Sequence, residues 1–217
     1  MKKYIYTFIN GKAEGSSSMN HLLGGKGANL AEMTNLKIPV PPGFTISTEV
    51  CTFFMKHKKF PSGFGKQLKS AIYQIEQHMD KKFGCSKNPL LVSVRSGARQ
   101  SMPGMMETVL NIGLNNDTAK GLINKTKNPK FVYDSFRRLL MMYSDVVMEK
   151  AKNIHDDSTI GIRTTLDILL ENIKNQYNYT NDSDLTDIQL IDLCNVYQKT
   201  IQKKFRVSFP NDPYEQL

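Results

Sequence analysis

The sequence predicts a mixed α/β (α+β) lobe over residues 1–113, followed by a mainly helical subdomain over 114–217. Two observations carry this. Strand-like and helix-like patterns alternate through the first half, as they do in layered α/β folds. Beyond Leu114 the strand signals nearly vanish, and long runs at three- and four-residue apolar spacing take over.

Tyr4, Tyr6 and Phe8 alternate with other residues, so the amino end reads as a strand, and Gly11 to Ser18 as a polar turn region. Leu30, Met33 and Leu36 then have helical spacing. Pro39, Pro41 and Pro42 forbid helix and fix an extended connector, after which Gly43-Phe44-Thr45-Ile46 reads as a short strand. Ser47 or Thr48 can cap a helix carrying Val50, Phe53 and Phe54, and Leu68, Ile72, Ile75 and Met79 mark the next one. Gly84 to Pro89 turns the chain into Leu90, Leu91, Val92 and Val94, which read as a short buried strand.

In the second half, Asn128 caps and Pro129 opens a long helix with Val132, Phe136, Leu139, Tyr143 and Val147 on its apolar face. Residues 150–184 are polar and rich in Asn and Asp, with room for a helix around Ile162 to Ile173 before a loop. Thr186-Asp187-Ile188-Gln189 has the capping-box pattern, and Ile188, Ile191, Cys194, Ile201 and Phe205 continue an apolar stripe behind it.

A hydrophobic content of 40% is ordinary for a globular protein and excludes the disordered class. Cys51, Cys85 and Cys194 are widely separated, with no Cys-x-x-Cys pair to suggest zinc or a redox centre, so a reduced, cytoplasmic compartment fits. No stretch approaches membrane-spanning length. The formal charge of +9 points to an anionic partner. The lysines are spread without a dominant basic stripe or an aromatic-interleaved RNA motif, which argues against nucleic acid.

Two loops remain that suit phosphate. In Leu22-Leu23-Gly24-Gly25-Lys26-Gly27 a lysine stands between glycines at the entrance of a helix, beside backbone N–H groups and the positive end of the dipole. A phosphate would resolve that conflict, whereas the bland reading is a glycine turn with an exposed lysine. Gly27 follows Lys26 where a Walker A loop needs Ser or Thr, so the usual P-loop mechanism does not apply. In Val94-Arg95-Ser96-Gly97-Ala98-Arg99 an apolar strand delivers two arginines into a loop of small residues; arginine's planar fork pairs with two phosphate oxygens at once.

Four segments, in order, resemble the N-terminal part of the pyruvate, phosphate dikinase family: Gly-Gly-Lys-Gly-Ala-Asn-Leu-Ala-Glu-Met at 24–33, Pro-Val-Pro-Pro-Gly-Phe-Thr-Ile at 39–46, Ser-Val-Arg-Ser-Gly-Ala-Arg-Gln-Ser-Met-Pro-Gly-Met-Met-Glu-Thr at 93–108 and Tyr-Asp-Ser-Phe-Arg-Arg at 133–138. The match is dense to about Met148 and thin afterwards.

The resemblance implies an ATP-grasp nucleotide-binding lobe in an enzyme that converts ATP, phosphate and pyruvate to AMP, diphosphate and phosphoenolpyruvate. By motif, Lys26 and Arg95 would contact the ATP phosphates, Gly104 would lend a backbone amide, Thr108 a hydroxyl, and Val109 would line the same pocket. Arg99 is a weaker candidate that could equally pair with an acidic residue. Arg137 and Arg138 read as a helix-surface or inter-domain ion pair, Met102, Met105 and Met106 as packing, and Glu107 as either a magnesium ligand or an arginine partner. His21, His57, His78 and His155 lack the Thr-x-His setting of the family's phosphorylated histidine. The resemblance therefore implies a chain without a carrier histidine or magnesium carboxylates, inactive alone, whose partners are ATP and the dikinase's phosphohistidine and pyruvate-binding domains. Mg2+ would be held outside it. The alternative is a stand-alone nucleotide- or polyphosphate-binding module without catalysis.

Overall fold

The computed structural model describes residues 2–97, 108–149 and 160–217. Its contacts group the chain into two units. The first comprises the described residues up to 82 together with 95–97, and the second comprises 83–94, 108–149 and 160–217. The whole is mixed α/β and predominantly helical.

In the first unit, β1 (Ile5–Ile9) is the centre of a three-stranded antiparallel sheet in the order β2-β1-β3, with β2 at Lys12–Ala13 and β3 at Gly43–Ile46. The alternation around Tyr4 to Phe8 does form a strand, and Ile5 and Phe8 are the residues it buries. α1 (Asn20–Asn35) and α3 (Phe64–Met79) pack on this sheet, and α2 (Thr48–His57) packs beside α1. α3 buries Phe64, Ala71, Ile72 and Ile75, and Phe64 and Ala71 close a core with Ile5 and Val50. Ser47 occupies the N-cap position of α2 without capping it: its Oγ is buried and has no hydrogen-bond partner among the described residues, while the Thr48 hydroxyl donates to the His21 carbonyl.

The segment read as one buried strand is two short ones. β5 (Pro89–Leu90) pairs with β4 (Lys82–Phe83), and β6 (Val92–Arg95) pairs with β7 (Thr108–Ile112). Of Leu90, Leu91, Val92 and Val94 only Leu90 is buried, and Val94 is 39% exposed.

The second unit is organised on α5 (Pro129–Tyr143), which packs against β7, α4 (Asn116–Thr126) and α7 (Asp187–Phe205). Asn128 caps α5 by accepting from the Phe131 amide, and Pro129 occupies its first turn. Val132, Phe136, Leu139 and Tyr143 are all buried, as their spacing predicts. The stripe does not continue through Val147. Residues Ser144–Glu149 form a π-helical turn, which adds a residue per turn, so Met148 faces inward and Val147 is left exposed.

α6 (Ile162–Tyr177) buries Ile162, Leu166 and Leu170. The capping box forms at Thr186 and Gln189, the Thr186 amide donating to Gln189 Oε1 at 2.8 Å. Of the expected stripe, Cys194, Ile201 and Phe205 are buried, while Ile188 is 68% exposed and Ile191 only half-buried; Leu190, Leu193 and Tyr197 complete the buried face instead.

Candidate functional site

The lysine loop is a break inside α1. Gly24 has φ 68° and ψ 166°, a combination open essentially to glycine alone, and the helix restarts behind it with Lys26 in the new first turn. Local sequence explains the break, since Gly24-Gly25 is the weakest point for helix in this stretch. The restart gives Lys26 a helix amino end as its neighbour. Lys26 is half-buried, and among the described residues it makes no hydrogen bond or ion pair.

The buried face of the restarted helix is Gly24, Gly27, Ala28 and Ala31, small residues that let it lie close to the sheet. The tightest point is Gly27: a Cβ there would stand 2.5 Å from Thr45 Cγ2 and 2.9 Å from Thr45 Oγ1. Thr45 carries no signal of its own in the sequence, because it is distant in the chain and belongs to β3.

Arg95 ends β6 and is exposed. Two residues on, Gly97 lies beside the lysine turn, a Cβ built on it standing 4.0 Å from the Leu23 carbonyl oxygen. Gly97 is thus a point at which the chain after Arg95 approaches the turn that carries Lys26. In the second unit, Thr108 opens β7 half-buried, and Val109 is buried against the helical core. Gly104 and Arg99, with Met102, Met105, Met106, Glu107 and His155, lie outside the described residues.

Arg137 departs from its surface reading. It is 3% exposed, and it binds Asp134 Oδ1 through Nη2 at 2.7 Å and through Nε at 3.1 Å, and Asp182 Oδ2 at 3.1 Å. Burial alone would lower its pKa, but the hydrogen bond and charge of Asp134, with Tyr197 and Asp182 beside it, raise the guanidinium above its ordinary value. Arg138 is the surface member, 2.9 Å from Asp134 Oδ2. The pair is structural, and it holds α5 to the segment before α7.

Among the described residues no three His, Cys, Asp or Glu are grouped to hold a metal ion, and no helix is long and apolar enough to cross a membrane. His21 opens α1, His57 packs its ring 4.4 Å from that of Phe53 on α2, and His78 lies at the end of α3.

Against this geometry, the family model described as pyruvate phosphate dikinase, AMP/ATP-binding domain, matches residues 20–62 and 60–172. The chain belongs to this family. It is 43% identical over 219 residues to the pyruvate, phosphate dikinase of Rickettsia prowazekii (strain Madrid E), covering 100% of this chain and 24% of the relative. The Clostridium symbiosum pyruvate, phosphate dikinase is also 43% identical, with 100% and 23% covered, and the chloroplastic pyruvate, phosphate dikinase 1 of Zea mays is 42% identical, with 100% and 22% covered. The chain thus spans about a quarter of the length of these dikinases and corresponds to their N-terminal, ATP-binding part. Both the lysine turn and β6 with Arg95 fall inside the matched residues.

Proposed function

We propose that this chain is the nucleotide-binding lobe of a pyruvate, phosphate dikinase of ATP-grasp type, in which Lys26 and Arg95 contact the ATP phosphates. The lysine turn carries the reading. A half-buried lysine at a helix amino end, with no ion pair among the described residues, sets a positive charge beside the positive end of the helix dipole, an arrangement that a phosphate meeting both the ammonium and the N–H groups would make favourable. The approach of Gly97 to Leu23 supports a second cation near by, since Arg95 lies two residues before that contact. Gly104 would add a backbone amide, Thr108 a hydroxyl and Val109 an apolar wall, with Arg99 in reserve.

In the reaction so proposed, ATP, phosphate and pyruvate give AMP, diphosphate and phosphoenolpyruvate, the phosphoryl group travelling on a histidine in another domain. The residues of this chain bind and orient. Lys26 places a point charge and Arg95 a planar pair of donors where negative charge accumulates, and positioning with electrostatic stabilisation is most of what phosphoryl transfer asks of a protein. Magnesium would be held by the rest of the dikinase, as the resemblance implies. A cytoplasmic setting accords with three widely separated cysteines that form no Cys-x-x-Cys pair.

Titrating ATP into the wild type and into Lys26→Ala and Arg95→Ala variants tests this. At least a tenfold weaker affinity is expected in each; wild-type affinity in both would remove the proposed site.

A further inference from the structure

We infer that Thr45 is a positioning residue for the phosphate-binding turn: its side chain is the stop that seats Gly27, and with it Lys26, against the sheet. This rests on the nucleotide reading above. A Cβ at position 27 would sit 2.5 Å from Thr45 Cγ2, 2.9 Å from Thr45 Oγ1 and 3.3 Å from Leu23 Cβ, so the two elements already lie at the limit of approach. Thr45 cannot give way easily. Its backbone is paired opposite Tyr6 in the antiparallel ladder, between Phe44 opposite Thr7 and Ile46 opposite Ile5, and its branched side chain has little rotamer freedom.

The other side of the break is held too. Leu23 is wedged against Gly15, where a Cβ would collide with Leu23 Cδ1, and the Thr48 hydroxyl donates to the His21 carbonyl at 2.8 Å. With the chain before Gly24 clamped in this way and the chain after it resting on Thr45, the direction of the restarted helix is set by the Gly27 contact. Lys26 is the neighbouring residue. A methyl group added at Gly27 has to be absorbed by moving the helix off the sheet, which carries the ammonium and the first-turn amides away from a fixed ligand without altering either.

NMR titrations of the 217-residue chain with ATP and with adenosine, together with thermal melts, test the inference. Gly27→Ala is expected to weaken ATP at least tenfold and adenosine less than twofold, since adenosine has no phosphates to misplace. Gly27→Ala/Thr45→Ala is expected to recover ATP affinity to within threefold of Thr45→Ala, because the two clashing atoms are gone. Equal weakening of ATP and adenosine by Gly27→Ala, or a double variant that stays tenfold weak, overturns the positioning role. Should Gly27→Ala fail to fold, the double variant decides alone: folding with ATP affinity near that of Thr45→Ala supports the stop, and failure refutes it. Lys26→Ala separates the two ideas. If it weakens ATP while Gly27→Ala does not, only the role of Thr45 falls; if it has no effect, the nucleotide reading itself falls.

Discussion

Lys26 in the first unit and Arg137 in the second are both cations drawn off the open surface, and the chain treats them oppositely. Arg137 is buried with Asp134 and Asp182 at hydrogen-bond distance, beside Tyr197 and Cys194. Lys26 is half-buried at a helix break, with no acidic partner among the described residues. A buried charge must be compensated, and the compensation tells its purpose. Where the protein supplies it, as at Arg137, the cation belongs to the architecture; for Lys26, at a helix amino end, the proposal is that a phosphate supplies it. Their neighbours in the chain, two glycines for Lys26 and Phe136 with Arg138 for Arg137, do not announce these fates. Only their surroundings separate them.

The strongest way to break this contrast is to truncate both. Arg137→Ala should lower stability by about 3 kcal/mol, because it leaves a hole and strips two carboxylates of their partner. Lys26→Ala should change stability by less than about 0.5 kcal/mol and be felt in ATP affinity instead. Denaturant melts of the two variants check this, and equal losses would erase the distinction.

A smaller effect sharpens the description of the second unit. If the π-helical turn sets the register behind α5, Met148→Ala should cost about 2 kcal/mol and Val147→Ala less than about 0.5 kcal/mol. The reverse order in melting experiments would mean that the α-helical stripe runs on unchanged.

The smallest effect concerns the surroundings of Arg137. Burial pushes the Cys194 thiol up from 9.0 to about 12, a rise that the nearby guanidinium opposes without cancelling. A folded-state pKa above the unfolded one favours the protonated fold, so this contribution is complete below pH 9 and is lost as pH climbs towards 12. By pH 10 the loss should be on the order of 1 kcal/mol. Comparing stability at pH 8 and pH 10 in wild type and Cys194→Ala isolates it. A variant with the same alkaline slope as the wild type would show that Cys194 ionises freely in the fold.

Much of this was legible in the sequence. Helix starts with chemical signatures appear where they were expected, at Asn128 with Pro129 and at Thr186 with Gln189, because a cap is decided by residues adjacent in the chain. Faces were harder to read. On α7 both the Ile188–Ile191 line and the Leu190–Leu193–Tyr197 line have helical spacing, and the packing of α5 selects the second. On β6 the apolar run suggested burial, but burial depends on what packs on the face of the strand, and Val94 is left 39% exposed. In the candidate site, Lys26 and Arg95 could be singled out because glycines flank the one and a strand delivers the other. Thr45 could not, since its importance lies in a contact with Gly27 across the sheet.

What the sequence determined by itself is therefore most of the longer helices, the caps at Asn128 and Thr186, the glycine turn before Lys26 and the family to which the chain belongs. These depend on propensities and motifs that act over a few bonds. What only the tertiary structure decided is which apolar stripe is inside, which arginine is neutralised and what holds the lysine turn in place. Those outcomes depend on distances between residues far apart in the chain, and a pattern of residue types leaves such distances open until the elements have packed.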